Sequence, residues 1–371
     1  MSAVLILGKT AAGLLAAAAM AFSLVHTAPR LQQSLPLAGA FVQDPAAALQ
    51  ALEGLSVPEE AESTPSAAVQ PALPAEAAQG AASFPEAAQP TAAPETADPA
   101  AQNDAIPDGC GPVLEQHYST GQGERYILLD HGSIKNCTSL SAAEIQDAAF
   151  AGLPFAIEAH SSEPQVLIMH THATESYLTE SGAYYPLNWS GRTTDPEMNM
   201  CAVGRAMADV LNAAGICTLH NETLHDYPSY NGSYDRSRAT VQQILAEHPS
   251  IRIVLDIHRD AIEKNGSVIA PVNGEGSEKT AQVMLICGCD KGGNLPNFRQ
   301  NLAFAAAWQN QMEADTPGFT RPVLFDYRFY NQDLTTGSLL MEVGGHGNTL
   351  PQAVAAGQKA AVSLAKLLLS N

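Results

Sequence analysis

The sequence predicts an α/β fold in which a mainly parallel sheet carries helices on both faces. From residue 125 onward, short segments rich in Val, Ile and Leu alternate with longer segments whose apolar residues recur every three or four positions. The first pattern is typical of buried strands and the second of amphipathic helices. Strands that alternate with helices in this way favour a parallel sheet covered on both sides.

The predicted elements follow one another with recognisable boundaries. Strands are predicted at 125–134, 166–169, 216–219, 251–260, 280–289 and 337–345. Helical spacing of apolar residues occurs in the stretches 142–158, 197–216, 234–250, 298–314 and 350–369. The first helix ends near Pro154, and the second is stopped by Gly215, a residue that commonly terminates helices. In open α/β sheets the functional site lies beyond the carboxyl ends of the strands.

The first 30 residues are predicted to form a membrane anchor or a signal segment. From Thr10 to Ala28 the chain has no formal charge and is mostly apolar. This length is close to the roughly 20 residues that cross a bilayer as a helix. A cleaved signal peptide is the alternative. Either interpretation places the rest of the chain outside the cytoplasm.

Residues 31–107 are predicted to form a disordered linker, and residues 108–371 are predicted to form a catalytic domain. The linker is rich in Ala, Pro and Glu, and it has no Lys or Arg between Arg30 and Arg125. It contains few large apolar side chains, so burial cannot offset the entropy lost on ordering. We therefore expect the linker to carry a folded domain away from a membrane.

The charge balance argues against one class of partner. The 371 residues contain 38 acidic and 18 basic side chains, a formal net charge of −20. Contacts to nucleic-acid phosphates require Lys and Arg, so we expect no nucleic-acid binding. The six cysteines show no C-x-x-C spacing. A bridge between Cys110 and Cys137 remains open at this stage.

Three predicted strands end in groups that ligate metals. The stretch "VLIMHTHATESY" (166–177) passes from apolar residues to His170, His172 and Glu175. Strand alternation puts His170 and His172 on one side, with His172 at the strand exit. In "IRIVLDIHRD" (251–260), Asp256 and His258 share a side in the same way.

These strand ends together predict a hydrolytic metal site. Two imidazoles and one carboxylate, with an open position, form the ligand set of catalytic zinc sites. In "GSLLMEVGG" (337–345), Glu342 is a further carboxylate, two residues before Gly344 and Gly345. Glu342 is suited to take a proton from the attacking water and to pass it to the leaving amine.

Several stretches together resemble the stage II sporulation protein P family of endospore-forming Firmicutes. They are "VLIMHTHATESY", "HDYPSYNGSYDRSR", "VLDIHRDA", "FRQNLAFA" and "YNQDLTTGSLLMEVGG", which occur in this order from about residue 160 to the end. The resemblance implies a zinc-dependent N-acetylmuramoyl-L-alanine amidase that also cleaves stem peptides. It further implies a fold similar to that of the zinc amidases of this class.

The resemblance also implies roles for individual residues. His172, Glu175 and His258 become the Zn²⁺ ligands, and Glu342 the catalytic base. The zinc amidases usually have Gly-His-Gly-Gly after the first strand, whereas this chain has His170-Thr171-His172. His170 therefore remains an alternative ligand, although His172 matches the strand exit.

Residues around these ligands have predicted supporting roles. We expect Arg259 to stabilise an oxyanion or to hold a stem-peptide carboxylate. Asp256 or Asp260 is expected to orient a ligating histidine. Aromatic and imidazole side chains that could line a substrate groove are Tyr230, Tyr234, Tyr327, Tyr330, His220 and His225.

The implied setting is the cell membrane of a sporulating cell, with the catalytic domain in the space between the membranes. The substrate is peptidoglycan, and the implied partners are a lytic transglycosylase, protein D, and a membrane protein, M. Two alternatives remain open. One is a zinc peptidase that acts only on stem peptides, and the other is a peptidoglycan-binding scaffold without catalysis.

Overall fold

The computed structural model of the protein describes residues 106–370. The predicted membrane or signal segment (1–30) lies outside the described residues, as does the predicted linker apart from its last two positions. Within 106–370, no helix combines the length and the apolar character needed to span a bilayer. The first strand begins at Cys110, and the six cysteines are free.

The described part contains 13 strands and five α-helices. The strands are β1 Cys110–Gln116, β2 Tyr126–Leu128, β3 Ser133–Asn136, β4 Val166–Met169, β5 Tyr184–Pro186, β6 Thr218–His220, β7 Ile253–Asp260, β8 Glu263–Lys264, β9 Ser267–Asn273, β10 Thr280–Ala281, β11 Val283–Gly288, β12 Val323–Asp326 and β13 Gly337–Gly345. The helices are α1 Ala142–Ala149, α2 Met200–Ala213, α3 Ser233–Glu247, α4 Phe298–Asp315 and α5 Leu350–Leu369.

Eight strands form the main sheet in the order β2-β3-β12-β11-β13-β7-β4-β6. Neighbouring strands are parallel except in the pairs β2–β3 and β11–β13. The larger core lies on one face and includes buried residues of α1, α2, α4 and α5. A smaller core on the other face packs against α3. The predicted α/β class, with a mainly parallel sheet and helices on both faces, is confirmed.

Alternation along β4 and β7 assigns their side chains to the two cores. Ile168 and Leu255 lie in the larger core, whereas Leu167, Met169 and Val254 lie in the smaller one beneath α3. This division follows from the period of two along a strand. It fixes which polar residues at the strand ends face α3.

The larger core is anchored by Trp308 on α4. The indole is fully buried, stacks on Phe304 with ring centroids 5.8 Å apart, and donates its N–H to the carbonyl oxygen of Ala360 at 3.1 Å. Trp308→Ala is expected to lower the free energy of unfolding by ~3–5 kcal/mol, because it leaves a cavity. Leu187→Ala removes an exposed side chain and is expected to change stability by less than ~0.5 kcal/mol. Urea denaturation of both variants tests this difference.

A second, smaller sheet was not predicted. It has the order β10-β9-β1-β5, and β8 pairs with the outer part of β9. The predicted strand 125–134 is a hairpin instead, because Gly132 has a positive φ of 85° at the turn between β2 and β3. The predicted helix 142–158 ends at Ala149, since Gly152 has a φ of 84° and Pro154 follows.

Candidate metal centre

The candidate site lies at the carboxyl ends of β4, β7 and β13. These strands are parallel neighbours in the order β13-β7-β4. Met169 pairs with Asp256, and Glu342 pairs with His258. The polar residues that the sequence places at three separate strand ends are therefore brought to one edge of the sheet.

The two histidines after β4 lie on opposite sides of the sheet. His172 contacts the start of α3, with its Nε2 3.1 Å from Ser233 Oγ. On the side of α2, Nδ1 of His170 lies 2.9 Å from the carbonyl oxygen of Ile257, and its Nε2 lies 2.8 Å from Nε2 of His220. The expectation that His170 and His172 share one side is wrong. Alternation holds only in extended chain, and β4 ends at Met169, before a turn.

Three donors converge on the α3 side. Nδ1 of His172 lies 3.7 Å from Glu175 Oε1, and Nδ1 of His258 lies 3.7 Å from Glu175 Oε2. One ligand atom from each residue lies within 4.8 Å of the others. Donors around a tetrahedral ion with bonds of ~2.1 Å are separated by similar distances. The residues present therefore fit a zinc-type ion, and His170 is not among them.

The outer nitrogens of both histidines are already engaged. Nε2 of His172 faces Ser233, and Nε2 of His258 lies 2.8 Å from Asp256 Oδ1. The contact between His258 and Asp256 is an ion pair and not a well-formed hydrogen bond, because the geometry at Nε2 is unfavourable. Partners on the outer nitrogens leave both Nδ1 atoms free to face Glu175, as in many metal sites.

Asp256 is itself held by the turn after β4. Its two oxygens accept hydrogen bonds from the Thr171 backbone N–H at 2.8 Å and from the Thr171 hydroxyl at 2.7 Å. Burial raises the pKa of Asp256, but His258 and these hydrogen bonds together lower it by more. The net shift of the pKa is therefore downward. Burial lowers the pKa of His258, while Asp256 raises it to a net value of about 9.

Asp256→Asn is expected to weaken metal binding by ~10–100-fold, because it removes the charge that orients and polarises His258. The matched control is Asp333→Asn, which removes a carboxylate paired with Arg238 on α3. Competition with a chelator of known affinity measures both variants. Unchanged affinity in Asp256→Asn would remove this residue from the support of the site.

Glu175 is fixed by two arginines. Its Oε2 accepts the Arg259 backbone N–H at 3.2 Å, and its Oε1 lies 3.5 Å from Arg192 Nη2. These contacts hold the carboxylate between the two histidines. The buried backbone of β7 and an arginine from the loop after β5 thus position one side chain.

The carboxylate of Glu342 lies beside this cluster. Residue 342 is the neighbour of His258 across the β7–β13 pair, and its buried Oε2 has no hydrogen-bond partner among the described residues. Burial, and next the negative charge of Asp260, raise the pKa of Glu342 to about 8. An unpaired buried carboxylate is costly, and it is a common feature of groups that exchange protons.

Two residues with predicted supporting roles have further partners within the protein. The Arg259 guanidinium donates to the backbone carbonyl oxygens of Ser176, Gly191 and Asp260. Asp260 pairs with Arg321 at 2.8 Å and contacts neither ligating histidine. Both residues lie at the end of β7.

Aromatic side chains surround the cluster, although not all of those expected. Tyr230 stacks on His172 with ring centroids 4.5 Å apart, and Tyr234 meets the same ring edge-on at 5.5 Å. Tyr330 stacks on Tyr234 at 5.4 Å. Tyr327 lies elsewhere, with its hydroxyl 2.6 Å from Ser139 Oγ.

His220 and His225 do not line a groove. His220 contacts His170 on the α2 side, as described above. His225 is buried, with Nδ1 2.8 Å from the carbonyl oxygen of His170 and Nε2 3.0 Å from Thr240 Oγ1. Both rings thus have partners within the protein.

Sequence reasoning missed Arg192 and Asp226. Arg192 donates to Asp226 Oδ2 at 2.7 Å and to Thr174 Oγ1 at 3.0 Å. Both residues lie in irregular segments with no periodic pattern. The one signal present was an arginine within 20 positions of the histidine pair, which carries little weight by itself.

Comparison with solved structures finds amidases at low similarity. The N-acetylmuramoyl-L-alanine amidase AmiC2 of Nostoc punctiforme is 12% identical, with a TM-score of 0.34 over 57% of this chain and 97% of that chain. The CwlD amidase from Clostridioides difficile, solved in complex with the GerS lipoprotein, is 11% identical, with a TM-score of 0.36 over 56% of this chain and 100% of that chain. Scores of this size carry no argument about function.

Comparison of sequences is more informative. "Stage II sporulation protein P" of Bacillus subtilis (strain 168) is 34% identical over 215 residues, covering 53% of this chain and 49% of that relative. The chain thus matches about half the length of this curated relative. The sequence model of Stage II sporulation protein P (SpoIIP) matches residues 75–366, which include every donor of the candidate centre. Since this match extends over most of the chain, the protein belongs to the stage II sporulation protein P family.

Proposed function

We propose that this protein is a zinc-dependent N-acetylmuramoyl-L-alanine amidase that hydrolyses peptidoglycan during sporulation. The observation that carries the proposal is the convergence of His172, Glu175 and His258 beside the unpartnered carboxylate of Glu342. Three donors with a neighbouring base form the arrangement of metal-assisted amide hydrolysis. Family membership supports a role in sporulation.

Each protein group has a defined task in this proposal. His172, Glu175 and His258 would hold the ion, which when bound supplies Lewis-acid polarisation of the scissile amide. Glu342 accepts the proton of the attacking water at its carboxylate and donates it to the leaving amine. Burial raises the pKa of Glu342 and so makes it a stronger base than an exposed glutamate, and a divalent ion at the donors would favour its ionised form.

The surrounding groups position the reacting ones. Asp256 keeps the His258 ring oriented through Nε2, and the Arg259 backbone N–H holds Glu175. The Arg259 guanidinium fastens the chain segments around Ser176 and Gly191 to the end of β7. We therefore propose a positioning role for Arg259.

The proposal extends to the cellular setting. Cleavage of stem-peptide cross-links, action during engulfment, and attachment through residues 1–30 to the membrane belong to it. So do the lytic transglycosylase, protein D, and the membrane protein, M, as partners. The family match over residues 75–366 supports the sporulation setting.

Digestion of purified sacculi tests the bond that is cleaved. An amidase releases free peptides and leaves glycan strands without peptide, as detected by mass spectrometry. Cleaved peptides that remain attached to glycan would identify a stem-peptide peptidase instead. Unchanged sacculi, with zinc present, would indicate a binding scaffold.

A further inference from the structure

The guanidinium of Arg192 has one edge that is not used within the protein. Nη1 donates to Asp226 and Thr174, and Nη2 lies 3.5 Å from Glu175 Oε1. A guanidinium has five N–H groups, and these contacts engage three of them. Among residues 106–370, none accepts a hydrogen bond from Nε. The Nε–H and the second Nη2–H are parallel, and such a fork fits a carboxylate.

This edge lies beside the donor cluster and is accessible. The Arg192 side chain is 31% exposed, whereas that of Glu175 is 9% exposed. Cζ of Arg192 lies 4.9 Å from the ring centroid of Tyr230, which is 49% exposed and also stacks on His172. Arg192 and Tyr230 therefore form an open surface in contact with two of the three donors.

The local charges explain why this arginine is suited to an anionic group. Arg192 faces the carboxylates of Asp226 and Glu175. A divalent ion at the donors would offset the charge of Glu175. Arg192 would then be balanced by Asp226 alone, on the Nη1 side, with its free fork directed away from that pair.

We propose that Arg192 binds a carboxylate of the peptide part of the substrate and thereby determines specificity. This inference rests on the proposed amidase function. The substrate peptide offers two kinds of carboxylate, one on the residue after L-alanine and one at the chain end. The ring face of Tyr230 packs against the Arg192 guanidinium and stabilises its charge.

The test uses three disaccharide-peptide fragments and the full zinc-loaded protein. In the first fragment both carboxylates are free, in the second the one after L-alanine is amidated, and in the third only the terminal one is amidated. Loss of one carboxylate is expected to lower kcat/KM by ~10–100-fold, mainly through KM, because a charge-assisted contact is lost. The fragment that shows the loss identifies the carboxylate.

Variants assign the effect to Arg192. Arg192→Lys retains a cation for the buried Asp226 but has no fork, so we expect it to lose most of the discrimination between fragments. Arg238→Gln is the matched control, because Arg238 is 30% exposed and paired with Asp333, and it should discriminate as the wild type does. If Arg192→Lys does not fold, the double variant Arg192→Gln/Asp226→Asn avoids an unpaired buried charge.

Calorimetry of the released peptide, free or amidated, adds a readout that does not depend on turnover. Discrimination that persists in the folded Arg192 variants, or wild-type cleavage of all fragments at equal rates, would overturn this inference and leave the amidase function intact. Failure of the wild type to cleave any fragment would overturn the proposed function and the inference with it.

Discussion

His258→Ala is expected to lose its metal and its hydrolytic activity together. Only His172 and Glu175 would remain as donors, and Asp256 would be left buried without its cationic partner. We expect the affinity for zinc to fall by more than the ~100-fold that loss of a supporting contact causes. Elemental analysis after dialysis against a weak chelator measures the retained metal.

The control for this variant is His220→Ala. His220 is also a largely buried histidine on a strand of the same sheet, but its ring contacts His170 on the α2 side. It should keep its metal, whereas His172→Ala should behave as His258→Ala does. Full zinc occupancy in His258→Ala would remove this residue from the ligand set and would contradict the proposed centre.

The main elements of the fold could be predicted because their patterns are long. The closing helix was predicted at 350–369 and is observed as Leu350–Leu369. The four residues of β12 have no period that could be recognised, and β12 was missed. In the smaller sheet, β1, β5, β8 and β9 were missed because their pairing, as in Val113 with Val268, depends on contacts between distant segments.

The site residues at the ends of strands could be predicted from the sequence. Those that reach the site from more distant loops could not. Asp256 and His258 share one side of β7, and Glu342 lies beside His258, as alternation suggested. The separation of His170 from His172 depends on where β4 ends, which periodicity does not determine. Arg192 reaches Glu175 through an isolated bridge between the two residues, and sequence spacing gives no sign of it.

Glu342→Gln is expected to keep its metal and to lower turnover by ~10²–10⁴-fold, the range for loss of a general base. Gln has nearly the same shape, but it cannot accept a proton. It also removes the unpaired buried carboxylate, so the variant should be at least as stable as the wild type. Single-turnover kinetics, thermal melting and metal analysis on the same preparation test the three expectations.

Glu175→Gln separates the role of a ligand from that of a base. It replaces a charged donor between His172 and His258 with a weak neutral one, so zinc affinity should fall together with activity. Excess zinc should partly restore Glu175→Gln and leave Glu342→Gln unchanged, because only the first defect lies in binding. If metal is lost in Glu342→Gln and retained in Glu175→Gln, the two roles are exchanged, and β13 supplies the ligand while the turn after β4 supplies the base.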